Sequence, residues 1–162
     1  DQIAIISGPN LSMEIAEKQP AATVVASSNF DTARTVAKAC HNAYFRPYVS
    51  TDIIGVQVAG AAKNVVALAI GASEGMGLGA NTRATLITRG LAEITRLGKA
   101  MGADPITFSG LAGVGDLIAT CSSKLSRNYS LGYRMGRGMD LQEALSLSAG
   151  VAEVAKTAVP LL

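Results

Sequence analysis

The stretch GVQVAGAAKNVVALAIG, Gly55 to Gly71, constrains this chain more than any other, because between Ile53 and Ser73 the only charged residue is Lys63. Roughly 20 apolar residues suffice to cross a bilayer, so a segment of this kind belongs in a membrane or in a protein interior. The lysine argues for the interior. At the centre of a spanning helix it would cost about 2.5–3.5 kcal/mol. Gln57 and Asn64 add to that cost, and neither Trp nor Tyr flanks the ends. We therefore expect no membrane span, and read residues 53–72 as a core helix.

Composition agrees with an interior made of small residues. Aromatic residues are 4% of the chain, Trp is absent and there are 17 glycines, while 49% of the 162 residues are hydrophobic. Such a chain can bury a sizeable core by pressing helices together. The net charge of +2 comes from scattered basic residues, so no footprint for a nucleic acid stands out. Cys40 and Cys121 lie far apart and match no metal or redox spacing, which points to free thiols and a cytoplasmic protein. The single histidine, His41, reads as a surface or capping residue at a helix end, and no zinc site is expected. The start on DQIAIISGPN and the finish on AVPLL suggest a piece of a longer protein.

Residues 3–7 form a short β-rich run that stops at Gly8-Pro9-Asn10 and gives way to helical spacing in LSMEIAEK. A second strand is expected at 22–27. A helix follows behind an Asp31 cap, with Ala33, Val36, Ala37 and Cys40 on one face. The third strand, 44–49, carries Pro47, which marks an edge. Three strands make a small sheet, expected to complete a larger one. From Thr51 onward the pattern is helical throughout. ATLITRGLAEITRLGKAMG places Leu86, Ile87, Leu91, Ile94 and Leu97 on one face. Short helices are expected near 104–110, 116–122, 126–136 and 140–145.

The residues that could carry chemistry are few. Lys63 lies among Ala59, Gly60, Ala61, Ala62, Val65, Val66 and Ala67. If buried there, its amine would lose part of its basicity and suit proton transfer or Schiff-base chemistry. The alternative is a lysine that reaches the surface from a helix edge. GLAGVGDL, Gly110 to Leu117, spaces its glycines as G-x-x-G-x-G with no strand before it, and so fails the dinucleotide fingerprint. Asp116 within it reads as a helix N-cap. Ser126-Arg127-Asn128 joins a cap, a guanidinium and a carboxamide at a helix start, a grouping that could grip a phosphate or simply be a capped helix. Gly8-Pro9-Asn10 could turn its amides toward an anion or be a plain turn.

Taken together, SGPN at 7–10, VAGAAKNVVALAIG at 58–71, NTRATLITRGLAEITRLG at 81–98, TFSGLAGVGDLIATC at 107–121 and SRN at 126–128 resemble the bacterial NAD(P)-dependent glycerol-3-phosphate dehydrogenases. The resemblance implies a mainly α fold: an all-α C-terminal domain of the 6-phosphogluconate dehydrogenase-like type over 51–162. Before it, residues 1–50 would be a β/α remnant of a Rossmann-type domain. It implies an oxidoreductase that interconverts sn-glycerol 3-phosphate and dihydroxyacetone phosphate with NAD or NADP, supplying phospholipid synthesis. Lys63 is then the catalytic acid–base. Gly8, Asn10, Asp116, Ser126, Arg127 and Asn128 join it in binding substrate, and Ser12, Arg127, Val151 and Glu153 contact cofactor. The family usually carries Ser or Thr at the position of Asn10 and Ala at that of Ser12. The resemblance and the small-residue helices suggest a homodimer, and these residues alone are expected to be inactive. Competing readings are a 3-hydroxyacid or 6-phosphogluconate dehydrogenase, or a helical association module in which Gly55, Ala59 and Ala62 are packing contacts.

Overall fold

The computed structural model describes residues 2–123 and 125–147. The chain divides into two compact units, and the division falls inside its two long helices, after Gly60 and after Ala92. The change from strands to helices near residue 50 is thus a change of secondary structure rather than of compact unit. The architecture is mainly helical with a small sheet, as the sequence implies.

The first unit holds the described residues up to Gly60 together with Glu93–Asp116. Its sheet has the order β1 (Ile5–Ser7), β2 (Ala21–Ala26), β3 (Phe45–Ser50). β1 runs antiparallel to β2, and β3 parallel to it with Pro47 opposite Thr23. β3 is an edge among the described residues, which is where a proline that cannot donate to a ladder belongs. α1 (Ser12–Ala16) is shorter than its sequence spacing suggests and is followed by Lys18 at φ 60°. α2 (Phe30–Cys40) packs Ala33 and Ala37 on Val25 of β2. Its cap is Asn29 rather than Asp31: Asn29 has extended backbone and accepts from the Thr32 amide at 3.0 Å. Asp31 sits one residue inside the helix, where its charge suits the dipole. His41 follows α2, exposed.

α3 (Ile53–Gly75) and α4 (Ala80–Ala100) are the long helices. In the first unit α3 starts at a carboxylate clamp. Asp52 Oδ1 accepts from the Gly55 amide at 2.9 Å, while Oδ2 accepts from Thr107 Oγ1 at 2.6 Å and from the Asp104 amide at 3.1 Å. Gly55 is packed against this clamp. The clamp ties the helix to a 3₁₀ turn, Pro105–Ser109, that follows α4. The expected apolar face of α4 holds through Ile94, which is buried, but Leu97 is 45% exposed. Gly98 takes the inward position instead, because the Phe108 ring occupies the place a side chain would need.

The second unit holds Ala61–Ala92 and the described chain from Leu117 onward. Helices α5 (Asp116–Ser122), α6 (Arg127–Gly136) and α7 (Leu141–Ser146) follow the expected order. Its core joins Ala67 and Ile70 of α3 to Leu117, Cys121 and Tyr129, with Leu86, Ile87 and Leu91 of α4 packed on them. α3 is long and apolar enough to cross a membrane by length and composition. Wholly buried Val56, Ala67 and Ile70 make it a core helix of the fold.

Candidate active site

Lys63 lies on α3 four residues after buried Ala59 and four before wholly buried Ala67, so it belongs to the stripe that α3 turns inward. The lysine itself is half-buried. It thus falls between the two alternatives of the sequence, neither enclosed nor fully exposed. The next residue, Asn64, is buried at 5% exposure.

The second feature of this unit is the start of α6. Ser126 caps it, with extended backbone and its Oγ accepting from the Tyr129 amide at 3.3 Å. Ser126 and Asn128 are buried while Arg127 is exposed. Ser126→Ala should cost about 1 kcal/mol in chemical denaturation, the usual loss for a missing cap. A loss below the error of the measurement would mean that the long Ser126 bond carries nothing.

α6 runs parallel to α3 at backbone contact. Gly132 meets the Leu68 carbonyl and Gly136 that of Ala72, while Gly71 and Gly75 meet the carbonyls of Tyr129 and Tyr133. Each helix thus offers a Gly-x-x-x-Gly pair to the other. Extended toward the N-termini, the two sets of contacts put Arg127 between the levels of Lys63 and Ala69 on α3, within about one helical turn of Lys63. The start of α6 thus lies against the middle of α3, near the turn that holds Lys63.

Tyr129 ties α6 to the C-terminal end of α3. Its hydroxyl donates to Glu74 at 2.7 Å, Glu74 also pairs with Arg83 at 2.8 Å, and its ring stacks on Tyr133 at 6.5 Å. Glu74, Tyr129, Ser130, Tyr133 and Arg134 line a cavity of about 410 Å³ that includes none of the expected site residues. Burial, then the hydrogen bond to Glu74 and its charge, pushes the Tyr129 phenol up to about 12 from 10.0. A raised folded value stabilises the protein fully below the unfolded value and is lost as pH rises through the folded one. Stability should accordingly fall between pH 10 and 12, and Tyr129→Phe should flatten that part of the profile in denaturant melts.

In the first unit Asp116 is buried at 3% exposure. Its backbone is helical, φ −68° and ψ −36°, continuing a π turn over Leu111–Gly115, so it is not the N-cap its sequence context suggests. A cap has extended backbone; here the chain is already wound. Asp116 Oδ2 accepts from Ser7 Oγ at 3.3 Å, and nothing local in the sequence marks Ser7. Gly8 has φ +152°, and a side-chain carbon there would sit 3.0 Å from Thr23 Cα. Asn10 Nδ2 donates to Thr23 Oγ1 at 2.8 Å. Ser12 is exposed at the first residue of α1. Val151 and Glu153 lie outside the described residues.

Known proteins resemble this chain closely. The family described as NAD-dependent glycerol-3-phosphate dehydrogenase C-terminus matches residues 52–161. A glycerol-3-phosphate dehydrogenase [NAD(P)+] of Streptomyces griseus is 59% identical over 97% of this chain and 47% of its own length. One of Frankia casuarinae is 57% identical over 100% of the chain and 48% of its own. The crystal structure of glycerol-3-phosphate dehydrogenase from Coxiella burnetii superposes with a TM-score of 0.95 at 40% identity, covering 98% of this chain and 49% of that one. The chain spans about half the length of the curated relatives it matches.

Proposed function

Because this chain belongs to the family of the NAD-dependent glycerol-3-phosphate dehydrogenase C-terminus, we propose that it is the catalytic half of a cytoplasmic, homodimeric enzyme that interconverts sn-glycerol 3-phosphate and dihydroxyacetone phosphate. In this reading residues 1–50 end a dinucleotide-binding domain and 51–162 form the substrate domain. The observation that supports it is the backbone contact of α3 and α6, whose glycine pairs bring the start of α6 to within about one helical turn of Lys63.

Each residue then has a part its chemistry can perform. Lys63 takes the proton from the C2 hydroxyl in the oxidative direction and returns it in the reductive one. Arg127 presents five N–H donors in a planar fork to the phosphate. Ser126 accepts from the helix with its oxygen and keeps its own proton to donate. Asn128 adds a carboxamide, and Asp116, an acceptor, orients a substrate hydroxyl. Gly8 and Asn10 contribute contacts from the end of β1. When bound, NAD or NADP supplies the nicotinamide that accepts or returns hydride at C2. In this reading Ser12 and Arg127 are each assigned to the cofactor. The described residues contain no glycine-rich phosphate turn after a strand, so they hold only part of it. Val151 and Glu153 complete the cofactor side of the proposal.

The test is turnover. The full-length protein should oxidise NADH or NADPH with dihydroxyacetone phosphate, and these 162 residues alone should not. A full-length protein inert toward that pair, or an active isolated chain, would contradict the reading. An association module is disfavoured because its supposed contact residues are engaged within the chain: Gly55 on the Asp52 clamp, Ala59 buried at 3% exposure.

A further inference from the structure

A carboxylate as deeply buried as that of Asp116 has to be held by donors. Ser7, the last residue of β1, donates to Asp116 Oδ2 across 109 positions of sequence. The room for its hydroxyl is kept by Gly60, where a side-chain carbon would sit 3.1 Å from Ser7 Oγ. The Ser7 carbonyl is fixed in turn, accepting from Thr23 Oγ1 at 3.1 Å. Thr23 is wholly buried on β2. It has spent its one proton on Ser7 and can face Asn10 only as an acceptor, which is why the Asn10 amide presents its nitrogen to Thr23. Ser7 and Thr23 thereby join Asn10 to Asp116, the two side chains this unit would offer a substrate.

We propose that Ser7 is a positioning residue, one that fixes the Asp116 carboxylate in the orientation that receives a hydroxyl of the three-carbon phosphate. This rests on the proposed function, from which Asp116 takes its part. The 3.3 Å separation is long for a hydroxyl on a carboxylate.

A double-mutant cycle tests it in the full-length protein, read by calorimetric titration with glycerol 3-phosphate in the presence of the cofactor. Ser7→Ala should weaken binding about 10-fold, the scale of one hydrogen bond to a charged group. Against an Asp116→Asn background the same change should have an effect within about 2-fold, since the charged acceptor is gone. A role confined to packing would lower affinity equally in both backgrounds, and that result overturns the proposal, as does a wild-type affinity in Ser7→Ala. If the wild-type protein neither binds nor turns over glycerol 3-phosphate, the proposed function fails and takes this inference with it. A flat or additive cycle in an active protein removes the inference alone.

Discussion

Replacing Lys63 by alanine in the full-length protein should lower kcat by 100-fold or more while leaving the thermal melt close to that of the wild type. A positioned proton donor is worth roughly 10²–10⁴ in rate, and Lys63 is the one charged residue between Ile53 and Ser73. The fold should survive because the side chain is half-buried rather than enclosed. Alanine keeps the helix, and Ala59 and Ala67 on either side keep the buried stripe. Lys63→Arg separates two roles the lysine could have. If it supplies only positive charge, arginine should restore most of the rate. If it moves a proton, arginine, which does not deprotonate in proteins, should leave kcat near that of the alanine variant. Near wild-type kcat in Lys63→Ala would mean that the amine takes no part in catalysis.

Most of this architecture is legible in the sequence because the elements announce themselves locally. α3 has a long apolar run with one charge, β3 has its edge proline, and α6 has a serine cap ahead of Arg127. Readings went astray where a neighbour distant in sequence decides the outcome. Leu97 fits the apolar face of α4 by spacing, yet Gly98 turns inward because Phe108 needs the room. Asp116 looks like a cap because glycines precede it, but those residues are already wound as a π turn. Ser7 gives no local sign at all, since its partner lies 109 residues away. Ser126-Arg127-Asn128 could be found because its signal lies in three consecutive residues.

Gly132→Ala is expected to destabilise the protein by about 3 kcal/mol, the upper end of what overpacking costs. A side-chain carbon at this position would overlap the Leu68 carbonyl, which belongs to the backbone of α3 and cannot rotate away. The strain has no outlet along the helix pair, because Gly136 meets the Ala72 carbonyl one turn later, and Gly71 and Gly75 meet α6 in the reverse sense. Such small-x-x-x-small pairs let helix backbones touch, and two of them, four glycines in all, lock α3 and α6 in one register. Gly110→Ala is the control: the nearest atom to its added carbon is the Thr107 carbonyl oxygen at 3.4 Å, its φ is −96°, and a change within about 0.5 kcal/mol is expected. Chemical denaturation of the three proteins gives the comparison. Should Gly132→Ala instead remain folded by moving α6 outward, the start of that helix would move away from Lys63. Substrate affinity would then fall even at temperatures where the variant is fully native. A Gly132→Ala protein with both wild-type stability and wild-type affinity would show that the α3–α6 contact is looser than a glycine seat, and would withdraw the argument that brings the start of α6 near Lys63.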